Sequence, residues 1–409
     1  MSQNIDSKDL DAIIIGAGPA GGQVARELAK KGRKVLIIEK SQEIGQPNYS
    51  TAGTPKETVA DFDLPQNILS ASWNKIMWAS PHKKAIWEFP ETRGYILDFA
   101  GLRKFLAEDA VSNGAEIMVG TTVSELIENN GVYESVKYHG VFGDGEAKAK
   151  IIIDASGHHE FGNSFLKIND TLPKYLAEGL EYQMAGSMGE LKDTLAIYMG
   201  QDYAPGGYAW AFPMNNGNDT KVGICAYGQQ QDNKTLSEAL SKFMSSIFAF
   251  RAMEPMEVHA GAAHVDGGVK DHVHNNFILI GDAAHQINPL GGEGIRHALH
   301  AGRMAASVID NFLKKEEKNF ESLKKEYEEI WKEKFYKKWK YSTLMSDIIY
   351  HKLDDDKLDN LIETLQDLSP EDAFEILFNY KFEILAKHPI MAIKLADITK
   401  ELAEAILME

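Results

Sequence analysis

The sequence predicts an α/β fold in which a unit of parallel strands and helices is interleaved with an antiparallel sheet and followed by a helical region. Three observations support this prediction. A glycine-rich turn between a strand and a helix occurs near the start of the chain and again after residue 276. An alternating hairpin pattern lies between them, and Lys, Glu and Leu at helical spacing dominate from residue 311 onward. Strand–helix alternation predicts a parallel sheet, whereas period-two alternation predicts hairpins.

Composition narrows the function classes. The chain has 409 residues and a formal net charge of −17, which disfavours a nucleic-acid partner because its phosphates would be repelled. The single cysteine, Cys225, excludes an internal disulfide and a cysteine-based zinc or iron–sulfur site, and no metal site is predicted. The low cysteine content also favours a reducing, cytoplasmic setting, and with no run of about 18 apolar residues the protein is not expected to cross a membrane.

The first glycine-rich turn, Gly16-Ala17-Gly18-Pro19-Ala20-Gly21, separates a predicted strand at 11–15 from a predicted helix at 22–31. A second strand at 34–38 ends at Glu39, close to the spacing of about 20 residues expected for an acid that binds a ribose diol. The glycines permit a tight turn and the close approach of a pyrophosphate, and the helix N-terminus favours an anion. An acid rather than an arginine at position 39 favours FAD or NAD over NADP.

The second glycine-rich turn follows a predicted strand at 277–280. It begins Gly281-Asp282-Ala283-Ala284-His285 and continues through Pro289-Leu290-Gly291-Gly292-Glu293-Gly294-Ile295 into a helix from about Arg296. An acid at a strand end can hold a polyol, and the helix start again favours an anion. Two such turns, far apart in sequence, suit a long ligand with two ends. FAD fits, with ADP at the first turn and the ribityl chain and isoalloxazine at the second.

This pair of turns resembles the FAD-binding superfamily of p-hydroxybenzoate hydroxylase. The resemblance implies that Asp282 binds the ribityl hydroxyls and that the N–H groups of Gly294 and Ile295 face the flavin N1–O2 edge. The run 151–157 resembles a third element of that superfamily, which packs near the ADP half. The residues assigned to FAD in this way are Gly16, Gly18, Pro19, Ala20, Gly21, Glu39, Lys40, Arg103, Val123, Asp282, Pro289, Gly291, Gly292, Gly294 and Ile295.

Two further segments resemble the geranylgeranyl reductases of this superfamily. The run Tyr208-Ala209-Trp210-Ala211-Phe212-Pro213, with Gly223 on the return strand, resembles their YxWxFP motif, and 43–47 resembles their segment after the second strand. Tyr208, Trp210 and Phe212 would share one face of a strand and line an apolar tunnel to the flavin, with Pro47 and Ser50 also contacting substrate. The alternative is that the three aromatic residues are only the buried face of a large sheet.

The chain departs from the family pattern at three positions. Ser50 stands where archaeal members carry a cysteine, so no thiol-based step is expected there. Phe99 stands where the family usually has an arginine, with Arg103 one turn later. Cys225 stands where a second glycine often follows Gly223.

The resemblance implies a FAD-dependent reductase that hydrogenates isolated double bonds of a polyprenyl, geranylgeranyl-type chain on a lipid or quinone. Because no further dinucleotide fingerprint is present, NADPH or reduced ferredoxin is expected as a transient electron donor. His285, Tyr208 and Trp210 are the expected catalytic residues; His285, Tyr208 and water are candidate proton sources, although His285 could equally be structural. The alternatives are a FAD-dependent monooxygenase or halogenase, and a non-catalytic protein that holds FAD.

The predicted domains interleave along the chain. Residues 1–60, 96–165 and 270–312 form the FAD-binding domain, 61–95 and 166–269 the substrate-binding sheet domain, and 313–409 the C-terminal helical region. A helix is predicted from the spacing of Phe320, Leu323, Tyr327 and Ile330, and another from Ser369 onward. The Lys- and aromatic-rich run 331–340 predicts either a solvated helix with a core stripe or peripheral contact with the inner face of the cell membrane.

Overall fold

The computed structural model describes residues 10–141, 143–159, 161–166, 176–228 and 234–388. Outside the described residues lie the two ends of the chain, 1–9 and 389–409, which were predicted to belong to the FAD-binding domain and to the C-terminal helical region. Within the described residues, the predicted α/β class is confirmed: a largely parallel sheet, a largely antiparallel sheet and a helical C-terminal region are all present.

The strands and helices have the following bounds. The strands are β1 (Leu10–Ile15), β2 (Val35–Ile38), β3 (Gly53–Pro55), β4 (Leu69–Trp73), β5 (Lys75–Ala79), β6 (Lys84–Glu88), β7 (Gly94–Leu97), β8 (Glu116–Met118), β9 (Thr121–Asn129), β10 (Val132–Gly140), β11 (Gly145–Asp154), β12 (Leu176–Ala185), β13 (Thr194–Gly200), β14 (Ala204–Met214), β15 (Asp219–Tyr227), β16 (Glu254–His264), β17 (Val273–His274) and β18 (Phe277–Leu279). The helices are α1 (Pro19–Lys30), α2 (Lys56–Asp61), α3 (Phe99–Ser112), α4 (Phe161–Leu166), α5 (Lys234–Ser246), α6 (Ile295–Lys314), α7 (Phe320–Trp331), α8 (Lys337–Asp347), α9 (Asp355–Leu365) and α10 (Pro370–Asn379).

The first sheet has the order β17-β18-β11-β1-β2-β8, and β1 pairs in parallel with both β2 and β11. Strands β1, β2 and the end of β11 are apolar runs because both faces of a central parallel sheet are covered. Helix α1 begins at Pro19, three residues before the predicted start. Proline suits the first turn of a helix because its missing N–H has no intrahelical partner there.

The second sheet has the order β16-β12-β15-β14-β13-β5-β6. Its two faces pack against different helices. Ala209 and Ala211 of β14 pack in the core that contains Phe243 of α5, whereas Trp210 packs in the core that contains α9 and α10, with Tyr208 and Phe212 against it. Tyr208, Trp210 and Phe212 therefore share one face, as predicted, and this face is covered by the C-terminal helices.

The C-terminal region confirms the two predicted helices. Leu323 and Tyr327 of α7 are fully buried, and the Ser369 hydroxyl caps α10 by accepting the N–H of Asp372. In the run 331–340 the aromatic residues Trp331, Phe335 and Trp339 are buried and in mutual ring contact, which confirms the core stripe. No helix among the described residues is long and apolar enough to span a bilayer.

Candidate functional site

The two glycine-rich turns, distant in sequence, lie against each other. A Cβ on Gly281 would lie 2.8 Å from the Cβ of Ala20, and a Cβ on Gly302 of α6 would lie 2.7 Å from the Ala20 carbonyl oxygen. Only glycine permits this approach of α6 to α1. The structure thus brings the two predicted halves of the cofactor site together.

The first turn combines closely packed glycines with an open one. A Cβ on Gly16, whose φ is +101°, would lie 2.4 Å from the Ala155 carbonyl oxygen, and a Cβ on Gly21 would lie 2.0 Å from the Gly16 carbonyl oxygen. Among the described residues, no atom other than those of its chain neighbours lies within 4 Å of a Cβ on Gly18, which precedes Pro19 at the N-terminus of α1. The open side at Gly18 fits a pyrophosphate at the helix N-terminus.

Glu39 is buried at the end of β2 and is already oriented by the backbone. Its Oε2 accepts the N–H of Ala17 at 2.7 Å, and its Oε1 accepts the N–H of Ser41 at 2.8 Å. A carboxylate has about four acceptor positions, so the group can still accept a ribose hydroxyl. Of the other residues assigned to FAD, Lys40 is exposed beside it and Val123 is buried on β9.

The second turn contains a carboxylate, that of Asp282, whose oxygens could accept hydrogen bonds from a ligand. None of the described residues donates a hydrogen bond to the Asp282 carboxylate, and a Cβ on Gly294, the residue before α6, would lie 3.7 Å from its Oδ1. Burial raises the pKa of Asp282 to about 6, against the opposing influence of His285 and His264. A carboxylate in this position fits a ligand rich in hydroxyl groups, as the ribityl chain is.

The stretch after Asp282 forms the other side of this site. Pro289 is buried, whereas Gly291 and Gly292 are exposed and Gly294 and Ile295 are partly exposed at the N-terminus of α6. Backbone N–H groups at a helix N-terminus suit the charge of a reduced flavin. The residues present therefore fit FAD.

Three tyrosines hold this glycine-rich turn; Tyr227 and Tyr350 are buried, and Tyr208 is partly buried. The Tyr208 hydroxyl donates to the Gly291 carbonyl at 2.8 Å, and the Tyr227 and Tyr350 hydroxyls donate to the Leu290 carbonyl at 3.1 and 2.8 Å. Burial raises the pKa of all three hydroxyls well above the ordinary value, so they stay neutral donors. The sequence predicted Tyr208 and missed the other two. Tyr227 carries an alternation signal on β15, whereas Tyr350 carries no local signal.

His285 has a defined environment. It caps a short 3₁₀ turn with φ +54°, its Nδ1 lies 3.1 Å from both carboxylate oxygens of Asp266, and its ring stacks on His264 at 4.3 Å. Ligand atoms of His264, Asp266 and His285 lie within 4.8 Å of one another, a grouping that sequence analysis missed. A catalytic role for His285 remains a prediction.

The loop from Pro47 to Gly53 joins the cofactor half to the second sheet. Arg103 donates to the Pro47 carbonyl at 3.0 Å, so its contact in this structure is to the predicted substrate loop. At the other end, a Cβ on Gly53 would lie 3.2 Å from the Phe212 ring. Ser50 is partly buried, and its Oγ accepts the N–H of Ala52 at 3.2 Å.

An apolar cavity of about 30 Å³ lies between the second sheet and the C-terminal helices. Its lining is entirely hydrophobic and includes Leu290 of the glycine-rich turn. Other lining residues are Trp78, Trp87, Met345, Leu361 and Phe382. The cavity thus lies between Leu290 of the glycine-rich turn and helices α9 and α10.

Comparison with known proteins identifies the family. The family model "Geranylgeranyl reductase catalytic domain" matches residues 176–265, and the model "FAD dependent oxidoreductase" matches residues 11–162. The digeranylgeranylglycerophospholipid reductase of Haloferax volcanii is 32% identical, with 88% of this chain and 90% of that protein covered. The chain belongs to the geranylgeranyl reductase family. Members of this family are FAD-dependent oxidoreductases, which confirms FAD and the enzyme class.

Solved structures agree with this fold. A geranylgeranyl bacteriochlorophyll reductase-like protein from Thermoplasma acidophilum superposes with a TM-score of 0.88 at 24% identity, covering 97% of this chain and 99% of that one. The p-nitrophenol 4-monooxygenase of Pseudomonas putida gives a TM-score of 0.70 at 14% identity, covering 91% and 98%. At these identities only the fold is shown. Likeness to the alternative class, the monooxygenases, is therefore limited to the superfamily fold.

Proposed function

We propose that this member of the geranylgeranyl reductase family hydrogenates isolated double bonds in the geranylgeranyl chains of a glycerophospholipid. The observation that carries the proposal is the position of the β14 aromatic residues. Tyr208 bonds to Gly291 of the glycine-rich turn, while Trp210 belongs to the same apolar core as the residues that line the cavity. An apolar chain held along this face would reach the flavin.

FAD, when bound and reduced, supplies a hydride. Isolated double bonds carry no activating carbonyl, so the protein contributes close positioning and exclusion of water. Leu290 and the aromatic residues of β5 and β6 line the cavity, Trp210 of β14 packs in the same core, and Tyr208, Tyr227 and Tyr350 fix the backbone of the turn. A cavity of about 30 Å³ has room for about two water-sized groups, so entry of a prenyl chain requires α9 and α10 to move from the sheet.

The electron donor and the membrane contact are parts of the same proposal. NADPH or reduced ferredoxin would dock transiently, and a quinone tail is the alternative substrate. In the run 331–340, Lys332, Tyr336 and Lys337 are exposed, with Tyr336 61% exposed, while the other aromatic residues are buried. Contact with an anionic membrane surface would therefore depend on lysines rather than on inserted aromatic residues.

The test uses the full-length, FAD-loaded protein reduced with dithionite under anaerobic conditions. Mixing with a digeranylgeranylglycerophospholipid in detergent should reoxidise the flavin, whereas the fully saturated lipid should not. Reoxidation only after air is admitted, with oxygen uptake that requires substrate, would favour the monooxygenase or halogenase alternative. A flavin that no unsaturated prenyl compound reoxidises would favour the non-catalytic alternative.

A further inference from the structure

A row of directly paired residues runs across four strands of the second sheet and begins at Trp210. Trp210 of β14 pairs with Gly223 of β15, Gly223 with Glu181 of β12, and Glu181 with His259 of β16. Residues directly opposite each other on antiparallel strands point to the same face. Because Gly223 has no side chain, the indole extends over it and its Nε1 donates to Oε2 of Glu181 at 2.9 Å.

Glu181 is the centre of a buried polar cluster. Its side chain is 5% exposed, and its Oε2 also accepts the hydroxyl of Thr51. Its Oε1 lies 3.4 Å from both Lys221 Nζ and His259 Nδ1. Lys221, 1% exposed, also donates to the Ser50 carbonyl, so the cluster holds the loop that was predicted to line the substrate site.

His259 connects this cluster to solvent. It lies on β16, the edge strand of the sheet, and its side chain is 9% exposed. Its Nε2 lies 3.1 Å from Oε2 of Glu257, a carboxylate that is 54% exposed. Hydrogen-bonded groups therefore run without interruption from water at Glu257, through His259 and Glu181, to the hydroxyl of Thr51.

Stability does not account for the cluster. Burying charged groups costs several kcal/mol for each ion, and well-packed apolar residues in their place are often equally stable or more so. This free-energy cost is incurred in the wall of a site whose other residues are apolar. The reaction proposed above also needs a proton for every double bond.

We propose that His259 and Glu181 supply this proton through the Thr51 hydroxyl. The inference rests on the proposed function. One alkene carbon forms a C–H bond with the hydride and its electron pair from reduced flavin, and the other uses the π electrons to take the proton. The imidazolium of His259 passes a proton to the Glu181 carboxylate, Glu181 passes it to the Thr51 oxygen, and the O–H bond of Thr51 breaks as its proton goes to the alkene carbon. His259 then takes a proton from water. His259 and Glu181 act through Thr51 and are positioning residues; Thr51 lies in the loop that was predicted to line the substrate site.

The charged groups around His259 set its pKa, and thereby the pH below which the relay holds a proton. Glu181, Glu257 and Lys221 are the charged groups that face it. The hydrogen bonds that His259 donates to Glu181 and Glu257 outweigh burial and Lys221, so the pKa of His259 lies above its ordinary value. The imidazolium form is therefore present below that pKa, and the proton supply should fail as the pH rises through it.

The experiment follows anaerobic reoxidation of the reduced holoenzyme by a digeranylgeranylglycerophospholipid in single turnover, from pH 6 to 9. His259→Gln should slow reoxidation by about tenfold or more and abolish its decline with rising pH. Added imidazole should restore rate to His259→Ala. Thr51→Val should be as slow, while Thr51→Ser, which keeps the hydroxyl, should stay near the wild-type rate. His139→Gln, an exposed histidine on β10, is the matched control.

The outcomes separate the two claims. If His259→Gln reoxidises at the wild-type rate with an unchanged pH profile, the relay is wrong and the proposed function stands. If the wild-type flavin is not reoxidised by any polyprenyl substrate, the proton relay and the proposed function are both wrong. Should His259→Gln fail to bind FAD or to fold, the Thr51→Val and Thr51→Ser pair decides, and equal rates for those two variants overturn the relay.

Discussion

The indole of Trp210 lies across Gly223, so closely that a Cβ at position 223 would come within 2.2 Å of ring atom Cζ2. This contact gives the return-strand glycine a physical role, because any side chain there would displace the indole. It also lets Nε1 of Trp210 reach Glu181, one strand further across the sheet. The aromatic wall and the buried carboxylate are thus a single packed unit.

Gly223→Ala should disrupt this unit. The new methyl group forces the indole to shift, which should lower the free energy of unfolding by about 1–3 kcal/mol and slow flavin reoxidation by substrate. Gly261→Ala on β16 is the matched control, since a Cβ there has no atom of the described part of the chain within 4 Å beyond its own neighbours in sequence. Urea unfolding of both variants checks the prediction. Equal stability and equal rates in the two variants would contradict it.

Trp210→Phe should separate substrate positioning from cofactor binding. Phenylalanine keeps an apolar ring but leaves the buried Glu181 carboxylate short of one donor, a loss of about 1–3 kcal/mol. We expect slower turnover with the same FAD content per protein as the wild type. The flavin absorbance of the purified variant measures that content. Loss of flavin would show that the wall assignment is wrong.

Asp282→Asn should have opposite effects on stability and on FAD binding. The folded-state pKa of about 6 lies above the unfolded value, so the wild-type apoprotein loses stability as pH rises from about 4 through 6. Asparagine does not ionise, so the variant apoprotein should be the more stable by up to about 3 kcal/mol at pH 8, with no difference near pH 4. Thermal unfolding across this range tests the sign.

FAD should bind Asp282→Asn more weakly, by about 1.5–3 kcal/mol, because a charged acceptor for the ribityl hydroxyls is lost. Fluorescence titration of the apoprotein with FAD measures this change. Unchanged FAD affinity would remove Asp282 from the cofactor site.

The double substitution Lys332→Glu, Lys337→Glu tests membrane contact. If the exposed lysines of the run 331–340 meet an anionic surface, flotation with phosphatidylglycerol vesicles should recover the wild type and much less of the variant. Each lysine contributes about 1 kcal/mol at such a surface. Lys83→Glu with Lys84→Glu, two lysines at the start of β6, provides a control with equal charge change. If the wild-type protein does not float with the vesicles, the proposed membrane contact is wrong.

Both glycine-rich turns could be predicted from sequence because their chemistry is local. Gly16 to Gly21 carries its turn and helix start, with the acid Glu39 only 18 residues after Gly21, and Gly281 to Ile295 carries turn, acid and helix start in one segment. The alternation of Tyr208, Trp210 and Phe212 likewise gave their shared face. Glycine spacing could not reveal that Gly281 touches Ala20, although the length of FAD suggested that the two turns meet.

Glu181, Lys221 and His259 could not be found in this way. Their contacts depend on the register between β12, β15 and β16, which is fixed by pairing across the whole sheet. In sequence, each is an ordinary polar residue on a strand. Tyr350 escaped notice for a similar reason, since its hydroxyl reaches Leu290 only once the C-terminal helices have packed on the sheet.

Mass spectrometry of the lipid product tests the central claim most directly. Dithionite-reduced holoenzyme is incubated anaerobically with a digeranylgeranylglycerophospholipid, and the product is analysed for its hydrogen content. We predict that mass increases in steps of two hydrogens, one step for each double bond reduced, with no oxygen or halogen added. Unchanged lipid, or lipid that gains oxygen when air is present, would contradict a prenyl reductase.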